Sequence, residues 1–81
     1  MKEQYEHYRG KHYKKYIQIG LNIMRYRKEQ GLTQQELAEM MGYSRNHLQR
    51  VETANNAPTV ALLYDVSEAL GVPIEKLLEQ R

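Results

Sequence analysis

Apolar residues recur every three or four positions along most of the chain, with polar residues between them. Tyr16, Ile19, Ile23 and Tyr26 share one face of a helix predicted over about residues 16–30, or from somewhat earlier. A second helix is expected to open with Thr33 as N-cap and Glu36 three residues on, a capping box, and to turn Leu37, Met40 and Met41 inward. A third has Ser44 as N-cap, with Leu48 and Val51 one turn apart. The fourth covers about residues 59–70, with Val60, Leu63, Val66 and Leu70 as its buried stripe. A short fifth, about 74–79, carries Leu77 and Leu78. Gly31, Gly42 and Gly71 each follow one of these segments, and Pro58 and Pro73 stand near helix starts. No segment alternates as a half-buried strand would, so the expected fold is all-α, with five helices and short connections.

Size limits what such a fold can do. A chain of 81 residues makes one domain and buries only about 60% of its unfolded surface, which leaves little for a deep catalytic pocket. Cysteine is absent, so neither a disulfide nor a thiolate metal site supports the fold. The opening residues lack the apolar run of a secretion signal, and no stretch has the roughly 18 apolar residues of a membrane span. A cytoplasmic protein without membrane contact is the expectation. His7, His12 and His47 show no metal-ligand spacing, and no carboxylate pair or phosphate-cradling loop stands out. Neither an enzyme nor a metal or cofactor site is expected.

Charge is uneven. Residues 1–17 hold five Lys or Arg against two Glu, a balance of +3, while residues 18–81 hold seven against eight, a balance of −1. Residues 1–15 therefore read as a basic, Tyr-rich arm or helical extension, and 16–81 as the domain proper. Tyr5, Tyr8, Tyr13 and Tyr16, interleaved with Lys and Arg, suit a flexible arm on phosphates or a minor groove, a helix packed on the domain, or a disordered segment. The first helix also carries a second apolar stripe, Ile17, Leu21 and Met24, expected to be covered by this arm or by a second subunit.

Bulk charge alone makes a weak case for nucleic acid; placement makes a stronger one. The run LTQQELAEMMGYSRNHLQRVE, residues 32–52, reads as a helix, a Gly-containing turn and a second helix. Ala38 is small where the two helices cross, and Gly42 lets the backbone turn without a Cβ clash. On the second of these helices Leu48 and Val51 point one way, while Arg45, Asn46, Gln49 and Arg50 cluster on the opposite side. Those side chains suit base edges: Arg pairs with guanine, Asn or Gln with adenine. No acidic residue interrupts the face, because Glu52 lies beyond it toward the core. The plain alternative is a helical bundle with a solvated polar face.

The stretch from Ile19 to Leu78 resembles the Cro and phage-repressor class of helix-turn-helix domains, the XRE family. The likeness rests on IG at Ile19–Gly20, RKEQGLTQQELA at Arg27–Ala38, SR at Ser44–Arg45, VE at Val51–Glu52 and ALGV at Ala69–Val72. It implies a five-helix, lambda-repressor-like domain that binds double-stranded DNA. Arg45, Asn46 and Arg50, helped by Gln49, would contact bases. Gln34 would hold a phosphate together with its helix N-terminus, with Thr33, Tyr43, Ser44, His47 and Asn55 as further phosphate contacts. Arg27 and Glu52 would form a structural ion pair across the core. Where the family has Gly two residues after that Glu, this chain has Ala54, then Asn55 and Asn56. Asn tolerates left-handed backbone, so the turn is expected to shift. The implied function is a sequence-specific transcriptional regulator, a repressor by family habit, acting as a homodimer on paired half-sites. The rival reading is an antitoxin-like or adaptor member that acts mainly through a protein partner.

Overall fold

The computed structural model describes residues 10–81. Those residues form five α-helices: α1 (Tyr13–Glu29), α2 (Gln34–Met41), α3 (Arg45–Glu52), α4 (Val60–Leu70) and α5 (Ile74–Leu78). No strand occurs among the described residues, and none of their helices is long and apolar enough to cross a membrane. The tyrosine-rich arm lies partly outside them, Tyr5 and Tyr8 included. Residues 13–15 of it are continuous with α1.

Local chemistry starts and stops the central helices. Thr33 Oγ1 accepts from Glu36 N at 3.0 Å, and Thr33 N donates to the Glu36 carboxylate at 2.9 Å, so α2 opens with a complete capping box. Ser44 Oγ accepts from His47 N at the start of α3, and Thr59 Oγ1 accepts from Leu62 N at the start of α4. Each bond satisfies an N–H that the helix itself leaves without a partner, at about 1 kcal/mol per cap. Gln30 reaches from the end of α1 to the Leu70 carbonyl at 2.6 Å and so closes α4 from outside.

The core is one cluster: Ile19, Ile23, Leu37, Ala38, Leu48, Val51, Leu62, Leu63, Val66, Leu70 and Leu77. Each large aliphatic side chain buried there contributes about 1.5–3 kcal/mol. α1 packs against α3, α4 and α5, while α2 packs against α3 and α4. Three residues expected in this core stand outside it: Met40, Val60 and Leu78 are 54%, 66% and 43% exposed. Their places are taken by Ala38 on α2 and Leu62 on α4, and on α5 Leu77 alone is buried. The buried stripe of α4 is therefore rotated, leaving Val60 and Tyr64 together on the exposed flank. On the second stripe of α1, Leu21 is exposed while Ile17 and Met24 are half-buried.

A buried polar residue secures the last helix. Asn22, 2% exposed, donates to the carbonyls of Leu77 at 2.9 Å and Glu79 at 2.8 Å and accepts from Gln18 Nε2 at 2.9 Å. α5 is little more than one turn long and has no side-chain N-cap bond. Its C-terminal carbonyls are thus satisfied from α1, and that side-chain cap holds Leu77 in the core.

Candidate nucleic-acid interface

α2 and α3 meet through a short turn. Gly42 adopts φ +78°, and Tyr43 N donates back to Ala38 O at 2.9 Å, which closes the end of α2. α3 then begins at Arg45 with Leu48, Val51 and Glu52 buried. Arg45, Asn46, Gln49 and Arg50 are exposed, and none of their side chains makes a hydrogen bond or ion pair with any described residue. The helix thus has an anchored side and an open one. Two guanidinium groups and two amides project together into solvent, with donor and acceptor groups of the kind that read base edges.

Behind this face sits a charged network. Glu52, whose side chain is fully buried, accepts Arg27 Nε at 2.7 Å on Oε2 and the second Arg27 nitrogen at 3.0 Å on Oε1. Arg27 also donates to the Leu32 carbonyl at 2.7 Å. The fork-to-fork geometry fixes both side chains in plane and ties α1 to α3. Gln34, the first residue of α2, donates its amide Nε2 to Glu52 Oε1 at 2.9 Å. No buried side-chain nitrogen or oxygen among the described residues lacks a partner.

The two helices also approach closely at Gly20. A Cβ there would lie 2.5 Å from the Glu52 carbonyl oxygen and 2.7 Å from that of Val51. Only a residue without a side chain lets α3 seat against α1 at this depth. A glycine inside a helix costs about 1 kcal/mol relative to alanine, and that penalty is the signal in the sequence that a close contact needs it.

The remaining expected phosphate residues lie at the starts of α2 and α3, in the turn between them, on α3 and just after its end. Thr33 and Ser44 serve as caps, and His47 is exposed, with its ring edge-on to Tyr43 at 5.1 Å between centroids. Tyr43 donates its only hydroxyl proton to Asp65 Oδ2 at 2.8 Å, so it has none left for a phosphate. That hydrogen bond, aided by desolvation and by the Asp65 charge, raises the phenol above its ordinary 10.0. Asn55 Nδ2 donates to Thr53 Oγ1 at 2.9 Å at the end of α3.

The turn after α3 does not shift onto the asparagines. Ala54 itself takes the left-handed conformation, φ +62°, and is the only non-glycine among the described residues to do so. Its N–H donates to Val51 O at 3.1 Å and Asn55 N to Arg50 O at 2.7 Å. These two bonds close the helix in the same way as the end of α2, and they require the left-handed residue at position 54.

A helix-turn-helix family model matches residues 23–77. Among curated relatives, the chain is 43% identical over 54 residues to the uncharacterized HTH-type transcriptional regulator y4dJ of Sinorhizobium fredii. It is 36% identical over 64 residues to the HTH-type transcriptional regulator SinR of Bacillus subtilis. The matches cover 67% and 78% of this chain and span 70% and 58% of those two proteins. Among solved structures, the clp gene regulator ClgR of C. glutamicum matches with a TM-score of 0.75 and 28% identity, over 79% of this chain and 83% of that one. The restriction-modification controller protein C.AhdI of Aeromonas hydrophila matches in fold, with a TM-score of 0.78 at 24% identity over 82% of this chain and 96% of that one.

Proposed function

The chain belongs to the helix-turn-helix family of transcriptional regulators, and from that premise we infer that it is a sequence-specific DNA-binding repressor that inserts α3 into the major groove. The observation that carries this reading is the open face of α3, on which Arg45, Asn46, Gln49 and Arg50 are exposed and bonded through their side chains to no described residue while the opposite side is anchored in the core. Arg45 and Asn46 occupy the first turn, the part of such a helix that reaches deepest into the groove. Each good bidentate pair with a base contributes about 1–3 kcal/mol of discrimination.

Around this face, the start of α2 meets the sugar-phosphate backbone through Gln34 and its helix N-terminus. Thr33, Ser44, His47 and Asn55 flank it. Tyr43, bound to Asp65, serves as a packing residue in this arrangement. The Arg27–Glu52 pair is structural: it sets the angle at which α3 leaves the core. Two copies bind as a homodimer to half-sites roughly 34 Å apart. The protein works in the cytoplasm, where its DNA lies, and catalyses no reaction.

Selection from a random DNA pool tests the reading directly. The protein is expected to enrich one motif, with binding that falls steeply as salt rises. Arg45→Ala should relax a single base position by about 1–3 kcal/mol, whereas Gln34→Ala should weaken all sequences evenly. A pool that yields no motif at low salt overturns the proposal.

A further inference from the structure

Resting on that reading, the geometry points to Glu52 as a positioning residue for the phosphate contact, acting through Gln34 without itself touching DNA. Its side chain is fully buried against the Arg27 guanidinium, so no DNA atom reaches it. What it does reach is the Gln34 amide. A glutamine amide is ambivalent toward an anion, because one end donates and the other accepts. Turned the wrong way at a phosphate, it presents a carbonyl oxygen and repels.

The bond to Glu52 removes that ambivalence. With Oε1 of the carboxylate accepting from Gln34 Nε2, rotating the amide by half a turn would set its carbonyl oxygen against a carboxylate oxygen. The NH2 end is therefore held on the Glu52 side. The trigonal geometry of the amide nitrogen turns its second N–H away from the carboxylate, where it remains available as a donor. Arg27 makes this workable. An unpaired carboxylate this close to the DNA backbone would repel the phosphate, but the bidentate guanidinium neutralises it. The buried ion pair thus does more than join α1 to α3: it prepares a donor for the phosphate before DNA arrives and lowers the ordering cost of binding.

Methylphosphonate substitution, one phosphate at a time along the selected DNA site, tests this. At one position per half-site, substitution is expected to weaken the wild-type protein about tenfold, the scale of a hydrogen bond to a charged group. Both Gln34→Ala and Glu52→Gln should reduce that penalty at the same position, to what the helix N-terminus alone supplies, and keep the penalties elsewhere. A merely structural role for Glu52 would weaken binding alike at every phosphate. Glu52→Gln retaining the full penalty at the Gln34 position overturns the inference, as does the absence of any position whose penalty Gln34→Ala reduces. Either result leaves the DNA-binding reading intact, since that is judged by motif enrichment. If Glu52→Gln does not fold, the free wild-type protein decides by nuclear magnetic resonance. The Gln34 side-chain amide should be ordered, with one N–H shifted by the carboxylate, and an amide as mobile as that of exposed Gln49 overturns the inference.

Discussion

Replacing Gly20 with alanine sets two physical expectations against each other, and they differ in sign. Helix propensity alone says that Gly→Ala inside α1 stabilises by about 1 kcal/mol. The packing says the opposite. The new methyl carbon would sit 2.5 Å from the Glu52 carbonyl oxygen, 2.7 Å from the Val51 oxygen and 2.9 Å from the Glu52 carbonyl carbon. All three are backbone atoms, so no side-chain rotation relieves the clash, and α3 has to move away from α1. Overpacking of this kind costs about 1–3 kcal/mol, and contacts with rigid backbone place it at the upper end. After the propensity gain, a net loss of roughly 2 kcal/mol is expected, which for a domain of this size lowers Tm by about 8–16 °C. The chain's whole stability is of the order of 4–12 kcal/mol, so the change is large. Moving α3 also strains the Arg27–Glu52 bonds, 2.7 and 3.0 Å long, and tilts the exposed face. Thermal unfolding followed by circular dichroism measures the effect. A Gly20→Ala protein that melts at or above the wild-type temperature would refute the close-approach argument.

The ion pair, the cap on α5 and the Tyr43 contact each yield a further test. Arg27→Met leaves the Glu52 carboxylate buried with Gln34 as its remaining partner and should cost about 3–5 kcal/mol in denaturant unfolding. Adding Glu52→Leu should restore most of that loss, so a single variant losing less than about 1 kcal/mol would argue against a buried pair. Asn22→Leu removes both bonds to the end of α5 and should cost about 2 kcal/mol. Its amide exchange should quicken most in α5, and uniform exchange across the helices would contradict the latch. For Tyr43, the folded state holds the phenol proton more tightly than the unfolded chain does. The associated stability is complete below the ordinary phenol value and is lost as pH climbs through the raised folded one. Tyr43→Phe should therefore unfold with a shallower alkaline decline than wild type, and parallel pH profiles would show that the Asp65 contact does not matter.

Most of the segment from Thr33 to Glu52 is legible in the sequence, Met40 excepted, because the signals there are local. A capping box lies within four residues, a glycine closes a turn over the residues beside it, and Ser44 caps the helix it begins. The outward face of α3 was legible for the same reason. With Leu48 and Val51 as its apolar positions, an eight-residue helix has only one way to turn. Periodicity was less decisive where apolar residues run around more of a helix. On α4 it favoured Val60 over Leu62, and only the position of α2 and α5 against that helix decided which flank is covered. Met40 and Leu78 were misplaced likewise, since a repeat identifies residues that share a face but not how far round a neighbour reaches.

Contacts between distant residues belong to the tertiary structure alone. Asn22 meeting the end of α5, Tyr43 meeting Asp65 and Gln34 meeting Glu52 span 57, 22 and 18 residues, and no local pattern encodes them. The left-handed Ala54 is a different case, because the bonds around it are local and the residue type hides it. Its own preference opposes that conformation, by about 1–2 kcal/mol for a residue with a Cβ. The residue adopts it where the two backbone bonds to Val51 and Arg50 close α3, a closure that takes a left-handed residue at this position.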